Sequence, residues 1–169
     1  EIFQSYDGAA ILVSHDPNES FRLSDKIAVM SQGKISETNS KREIFQNPQT
    51  VASAILTGCK NISSAKKISE NQILAEDWKI TLTLNKKIPD DLKFIGIRSD
   101  SFEYTSTDVE NAFDFEVIKE IEDTSSYIIM MRARDKLIRL EISKNLWNEI
   151  RSEKIRVEIP TDKIILMNR

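Results

Sequence analysis

Two patterns of apolar and polar positions run along the chain, and they change over near Gly58. In the earlier part, Glu1 to Tyr6 reads as the last turns of a helix, with Gly8 as a left-handed stop. Ala9 to Ser14 follows as a run of small and branched residues without alternation. Such a run predicts a strand covered on both faces, as in a parallel sheet. His15 then stands just past its carboxyl end, the edge where open α/β sheets bind ligands. Asp16-Pro17-Asn18-Glu19 predicts a helix start, with Asp16 as cap, Pro17 at the first helical position and Glu19 in place for a capping box. That helix should reach about Ser24. Lys26 to Met30 and Lys34 to Glu37 predict two strands joined by a Gln32-Gly33 turn. Lys41 to Gln46 and Thr50 to Leu56 predict two helical pieces separated by Pro48.

From Ile62 onward the period shortens to two. Ile80, Leu82 and Leu84 alternate with Thr81 and Thr83, and Ile95 and Ile97 alternate with Phe94, Gly96 and Arg98. Phe113–Ile118, Tyr127–Ala133, Leu137–Ile142, Ile155–Ile159 and Ile164–Met167 complete the set, and Lys144 to Ile150 is the helical exception. Short strands at this spacing predict a small barrel or sandwich. The expected fold class is therefore a mixed α/β part over residues 1–57, followed by a mainly β, OB-like small barrel over 58–169. The chain shows no sequence repeat, although two half-barrels of similar layout fit the pattern.

Composition narrows the function classes. With 40% hydrophobic residues in 169, the chain can build a real core. A net charge of −3 argues against a general nucleic-acid binder. Cys59 is the single cysteine, so no internal disulfide forms, which fits a reducing cytoplasm. The longest apolar runs, Ala9–Val13 and Tyr127–Met131, are strand-sized and far short of the ~18 residues of a membrane helix. Asp90-Asp91 and Glu120, Glu122 and Asp123 have no His or Cys companion, so a metal site is not expected. Arg132, Arg134, Lys136 and Arg139 read as a solvated face, and Trp78 and Trp147 as core or rim residues.

The segment Ile11-Leu12-Val13-Ser14-His15-Asp16-Pro17, then Asp25-Lys26-Ile27, Val29-Met30, Gly33-Lys34-Ile35 and Glu43-Ile44-Phe45 to Pro48, resembles the end of an ATP-binding-cassette (ABC) transporter ATPase domain. Asn39 departs from the family pattern, which often has Gly there, but a left-handed turn tolerates Asn. The resemblance implies that His15 is the switch histidine, catalytic and nucleotide-binding, which contacts the γ-phosphate and helps organise the attacking water. Positioning and aimed donors are what phosphoryl transfer requires. The four glycines, Gly8, Gly33, Gly58 and Gly96, are too scattered for a phosphate loop. The expectation is the C-terminal portion of an importer ATPase, inactive alone. The parent would use ATP and Mg, dimerise, and dock on a membrane permease at the cytoplasmic face of the plasma membrane.

Gly96-Ile97-Arg98-Ser99-Asp100 resembles the opening of the accessory TOBE domain of importer ATPases, and the stretch from Asn111 to Val117 resembles its molybdate-type version. This resemblance implies an oxyanion such as molybdate as the solute, with Asn111, Ser143 and Lys144 as candidate oxyanion-binding residues. Asp108 and Glu110 replace neutral or positive family residues beside that site, and carboxylates raise the free energy of a nearby dianion. Two further readings are an oxyanion-sensing regulatory module and a ligand-free dimerisation barrel.

Overall fold

The computed structural model describes residues 8–169. The helical end expected for Glu1 to Tyr6 lies outside them. The chain divides into two compact units, one ending at Gly58 and the other spanning Cys59–Arg169.

The first unit is built from local signals. Helix α1 (Pro17–Leu23) is capped by Asp16, whose carboxylate accepts from the N–H groups of Asn18 and Glu19. Strands β1 (Lys26–Ser31) and β2 (Lys34–Ser40) pair as an antiparallel hairpin. Gln32 and Gly33 both take positive φ in the turn, 51° and 74°, as a two-residue turn matched to strand twist demands. Helix α2 (Lys41–Gln46) starts on Ser40 and α3 (Val51–Leu56) on Thr50, each cap side chain accepting from a backbone N–H in the first turn. Ile27, Val29 and Ile44 form the small core, with Phe45, Ala52 and Leu56 packed on it.

One expectation for this unit fails. Ala9 to Ser14 forms no strand. Ile11 and Val13 are 96% and 92% exposed, and among the described residues no strand pairs with the run. A buried parallel strand needs neighbours on both edges and both faces, so apolar sequence alone does not make one.

The second unit is mainly β. Its strands are β3 (Asn61–Lys67), β4 (Gln72–Ala75), β5 (Ile80–Thr83), β6 (Phe94–Ile97), β7 (Glu103–Tyr104), β8 (Ala112–Glu122), β9 (Ser126–Ala133), β10 (Lys136–Ser143), β11 (Lys154–Glu158) and β12 (Ile165–Met167). Helix α4 (Lys144–Ile150) lies between β10 and β11. The strands make two antiparallel five-stranded sheets, ordered β12-β6-β3-β4-β5 and β10-β9-β8-β11-β7. Period-two alternation puts Ile73, Leu82, Ile95 and Ile97 of one sheet, and Phe115, Met131, Ile138, Leu140 and Val157 of the other, into one continuous core that α4 seals with Trp147. One side chain and one backbone carbonyl close the β10 edge. Asn61 pairs its amide with both backbone groups of Arg139 on β10, and the Ser99 carbonyl accepts from the Glu141 N–H. The result is a small barrel.

Candidate functional site

His15 sits on the short link into α1, exposed to solvent. Its position follows from the hydrogen bonds around it. The Ser14 hydroxyl accepts from the Asp16 N–H at 3.0 Å and donates to the Glu19 carboxylate, while Asp16 caps the helix. Glu19 thus reaches Ser14 instead of closing a capping box on Asp16. The turn is fixed on both sides of the imidazole, and the ring projects beside a hollow of about 710 Å3 lined by Val13, Ser14, Asp16, Asn18, Glu19 and Arg22. Pro17 stiffens the start of the helix at no cost in hydrogen bonding. Phe21, one turn further on, stacks edge-on against Phe45 of α2 at 4.9 Å. A ring nitrogen held this way can donate to, or accept from, a group seated against the turn. The described residues supply this one imidazole and no glycine-rich cradle, and no group of three or more His, Cys, Asp or Glu among them could hold a metal ion. They do not by themselves fit ATP with Mg, so no step through that group is derived for this chain.

Of the other three candidates, Ser143 and Lys144 adjoin at the head of α4 and Asn111 lies apart from them. Asn111 precedes β8 with φ of +59°, a left-handed position that Asn tolerates better than most residues. Its Oδ1 accepts from the Thr83 N–H at 2.8 Å and its Nδ2 donates to the Thr83 carbonyl at 2.8 Å. Its own carbonyl accepts from Ile159. The side chain therefore acts as a short piece of strand against β5. Ser143 caps α4, its hydroxyl accepting from the Leu146 N–H. Lys144 donates to Glu122 at 2.6 Å and lies 6.0 Å above the Tyr127 ring, which Arg151 also approaches at 5.7 Å. Arg151 in turn pairs with Glu120, holding that carboxyl below the usual range chiefly through its hydrogen bond. Asn111 adjoins the Ala112 end of β8 and Lys144 the Glu122 end, opposite ends of an 11-residue strand. Of the two carboxylates expected beside Asn111, Asp108 is bound by Arg156, which also holds Asp114.

Two residues escaped the reading of the sequence. Asn61, 4% exposed, makes the clasp on Arg139. Its only sequence signal is that it precedes alternating residues as Asn111 does. Glu37, 8% exposed, accepts from the Gln49 N–H at 3.1 Å and the Thr50 hydroxyl at 3.3 Å, tying β2 to the head of α3. An acidic residue on a hairpin reads as surface, and nothing local marks it as buried.

A capped helix behind an exposed histidine, a β hairpin, and two short helices leading into a β barrel make up the chain. Its homologues are the ATP-binding proteins of ABC importers. The spermidine/putrescine import protein PotA of Mesomycoplasma hyopneumoniae strain J is 29% identical over 131 residues, covering 78% of this chain and 29% of that protein. PotA of Trichormus variabilis is 30% identical over 119 residues, covering 64% and 31%. The Fe(3+) import protein FbpC of Haemophilus influenzae strain 86-028NP is 31% identical over 99 residues, covering 59% and 28%. The chain thus spans about three tenths of the length of these relatives. No protein-family model matches it. Among solved structures, the cytoplasmic molybdate-binding protein ModG, with molybdate bound, aligns at a TM-score of 0.49 and 11% identity, covering 64% of this chain and 95% of that one.

Proposed function

We propose that this chain is the C-terminal region of the ATP-binding subunit of an ABC importer, with His15 as the residue that meets the γ-phosphate in the complete protein. The observation that carries this reading is the fixed turn Ser14-His15-Asp16, which presents an exposed imidazole ahead of a capped helix in a chain whose homologues are importer ATP-binding proteins. In this reading residues up to Gly58 end the ATPase domain. The complete protein binds ATP and Mg, dimerises, and works on a membrane permease at the cytoplasmic face. No helix among the described residues is long and apolar enough to cross a membrane. His15→Ala in the full-length protein should lower ATP turnover by about 10²–10³, the usual loss when one aimed donor is removed. Undiminished turnover would remove the assigned role. The 169-residue chain by itself should show no Mg-dependent ATP hydrolysis.

For the barrel we propose an accessory role without an oxyanion. Support comes from the engagement of Asn111 by Thr83 and of Lys144 by Glu122, and from the distance between them. The alternative, an oxyanion such as molybdate held by Asn111, Ser143 and Lys144, requires residues from more than one chain. Titration calorimetry with molybdate, tungstate, sulfate and spermidine separates the two. Micromolar binding of any anion, abolished by Lys144→Ala, would overturn the ligand-free role.

A further inference from the structure

On the reading that His15 meets the γ-phosphate, we propose that Ser14 and Glu19 are the positioning residues that seat its ring, and that they set the rate of turnover without touching the nucleotide. The seat is a chain of linked hydrogen bonds. Ser14 Oγ accepts from the Asp16 N–H at 3.0 Å, a side-chain turn that spans His15 alone. The same hydroxyl gives its proton to the Glu19 carboxylate. Asp16 Oδ1 then accepts from the N–H groups of Asn18 and Glu19, at 2.8 and 3.3 Å.

Glu19 is the third residue of α1, where a capping box would turn its carboxylate back onto the N–H of the cap residue. Here the Ser14 hydroxyl stands between the two. It serves the Asp16 N–H as acceptor and the carboxylate as donor, so the box is widened by one side chain and spans His15. A hydroxyl that donates to an ionised carboxylate accepts more strongly on its own lone pairs, so the two bonds reinforce each other. Ser14 is half-buried, while Val13 and His15 on either side are exposed.

The pair is not needed to hold α1. Asp16 caps the helix, Pro17 occupies its first position, and the Ser24 hydroxyl bonds the Ser20 carbonyl at the far end. Phe21 stacks on Phe45, and the Lys41 ammonium lies 5.5 Å above the Phe21 ring. The helix is therefore a fixed base, and the Ser14–Glu19 bond ties that base to the residue before the imidazole. On the other side, Ala9 to Val13 finds no strand partner among the described residues. Loss of either side chain leaves the helix in place and frees the turn that carries the ring. A misplacement of about 1 Å at a reacting group costs up to ~10²-fold in rate.

Amide relaxation of the 169-residue chain reads the seat directly. The His15 amide should show an order parameter of about 0.85, the value of a rigid backbone, and fall toward about 0.6 in Ser14→Ala and in Glu19→Ala. The amides from Ser20 to Leu23 should keep their values in both variants. Ser14→Thr keeps the hydroxyl and Glu19→Gln keeps an acceptor, so both should leave His15 rigid. In the complete protein, Ser14→Ala and Glu19→Ala should each lower kcat by about 10–10²-fold with KM for ATP unchanged, and Ser14→Thr should restore the rate. A His15 amide as rigid in Ser14→Ala as in the unsubstituted chain would overturn the proposal. So would a loss of order through the whole of α1, which would make the pair a support of the helix. Undiminished turnover in His15→Ala would overturn the γ-phosphate role itself. Lowered turnover there, with kcat unchanged in Ser14→Ala and Glu19→Ala, would overturn the positioning alone.

Discussion

The two units differ in the local signals that build them and, in the opposite sense, in the interiors they end with. In the first, every element has its cap or turn, yet three buried residues make the core, while Met30 and Ile35 are 68% and 63% exposed. In the second, few strands carry a local signal beyond alternation, yet 22 buried residues join in one core. Caps and turns decide where elements begin and end. Burial is decided by what each strand finds beside it, and that is long-range. The sharpest way to break this comparison is to remove a residue that serves the long-range core alone. Trp147→Ala removes the fully buried ring that α4 contributes to the barrel core. It should cost about 3–5 kcal/mol, as large-to-small changes at such sites do, read as the urea midpoint of the barrel. A small loss would mean that α4 is an ornament on the barrel and not part of its core.

Asn61→Ala comes next. It leaves the Arg139 N–H and carbonyl at the sheet edge without their partner, and a donor or acceptor buried unpaired costs about 1–3 kcal/mol. Asn111→Ala adds the strain of a left-handed backbone on an ordinary residue and should fall at the upper end of that range. If both variants are neutral, the edges are held by something other than the clasps.

These clasps also mark how far the sequence could be read. The helix Lys144 to Ile150 and the strands from Tyr127 to Ala133 and Leu137 to Ile142 were legible because period and turn chemistry are local. The two-residue β7 was not, since Glu103 and Tyr104 are both exposed and become a strand only by pairing with Val157 and Glu158. Ala9 to Ser14 misled for the converse reason: its residues suit a buried strand, and no partner strand lies beside it among the described residues. Of the candidate site residues, His15 was legible from its place between an apolar run and a helix cap. Asn111 was legible as a special position, but its amide is turned to Thr83, which lies 28 positions earlier in the chain.

Asp77 sharpens the comparison with pH. Its carboxylate accepts from the Ser64 N–H at 2.7 Å and the Ser64 hydroxyl at 2.8 Å, and these bonds hold it below the ordinary carboxylate range. A carboxyl lowered on folding contributes stability that is complete above its unfolded value, near 4, and is lost as pH falls through the folded value. The barrel should therefore weaken in acid, and Asp77→Asn should remove part of that slope while costing about 1 kcal/mol at neutral pH. An unchanged acid limb in the variant would assign the pH dependence to other carboxylates.

A pair of substitutions in the hairpin tests the other side of the comparison. Val29 and Met30 are neighbours on β1, with side chains on opposite faces; Val29 is 4% exposed and Met30 68%. Val29→Ala removes two methyl groups from a core of three residues. It should release the amides of the β1–β2 hairpin to hydrogen exchange, at a cost of about 1–2 kcal/mol from the ~0.8 kcal/mol carried by each buried carbon. Met30→Ser removes a larger side chain from the exposed face, where its cross-strand neighbour is Ile35, so exchange should change by no more than about 0.5 kcal/mol. The order of the two costs, more than their size, decides the matter. If Met30→Ser costs as much as Val29→Ala, the outer face of the hairpin is covered in solution, and the contrast between the units lies in what packs on the first and not in how little it buries.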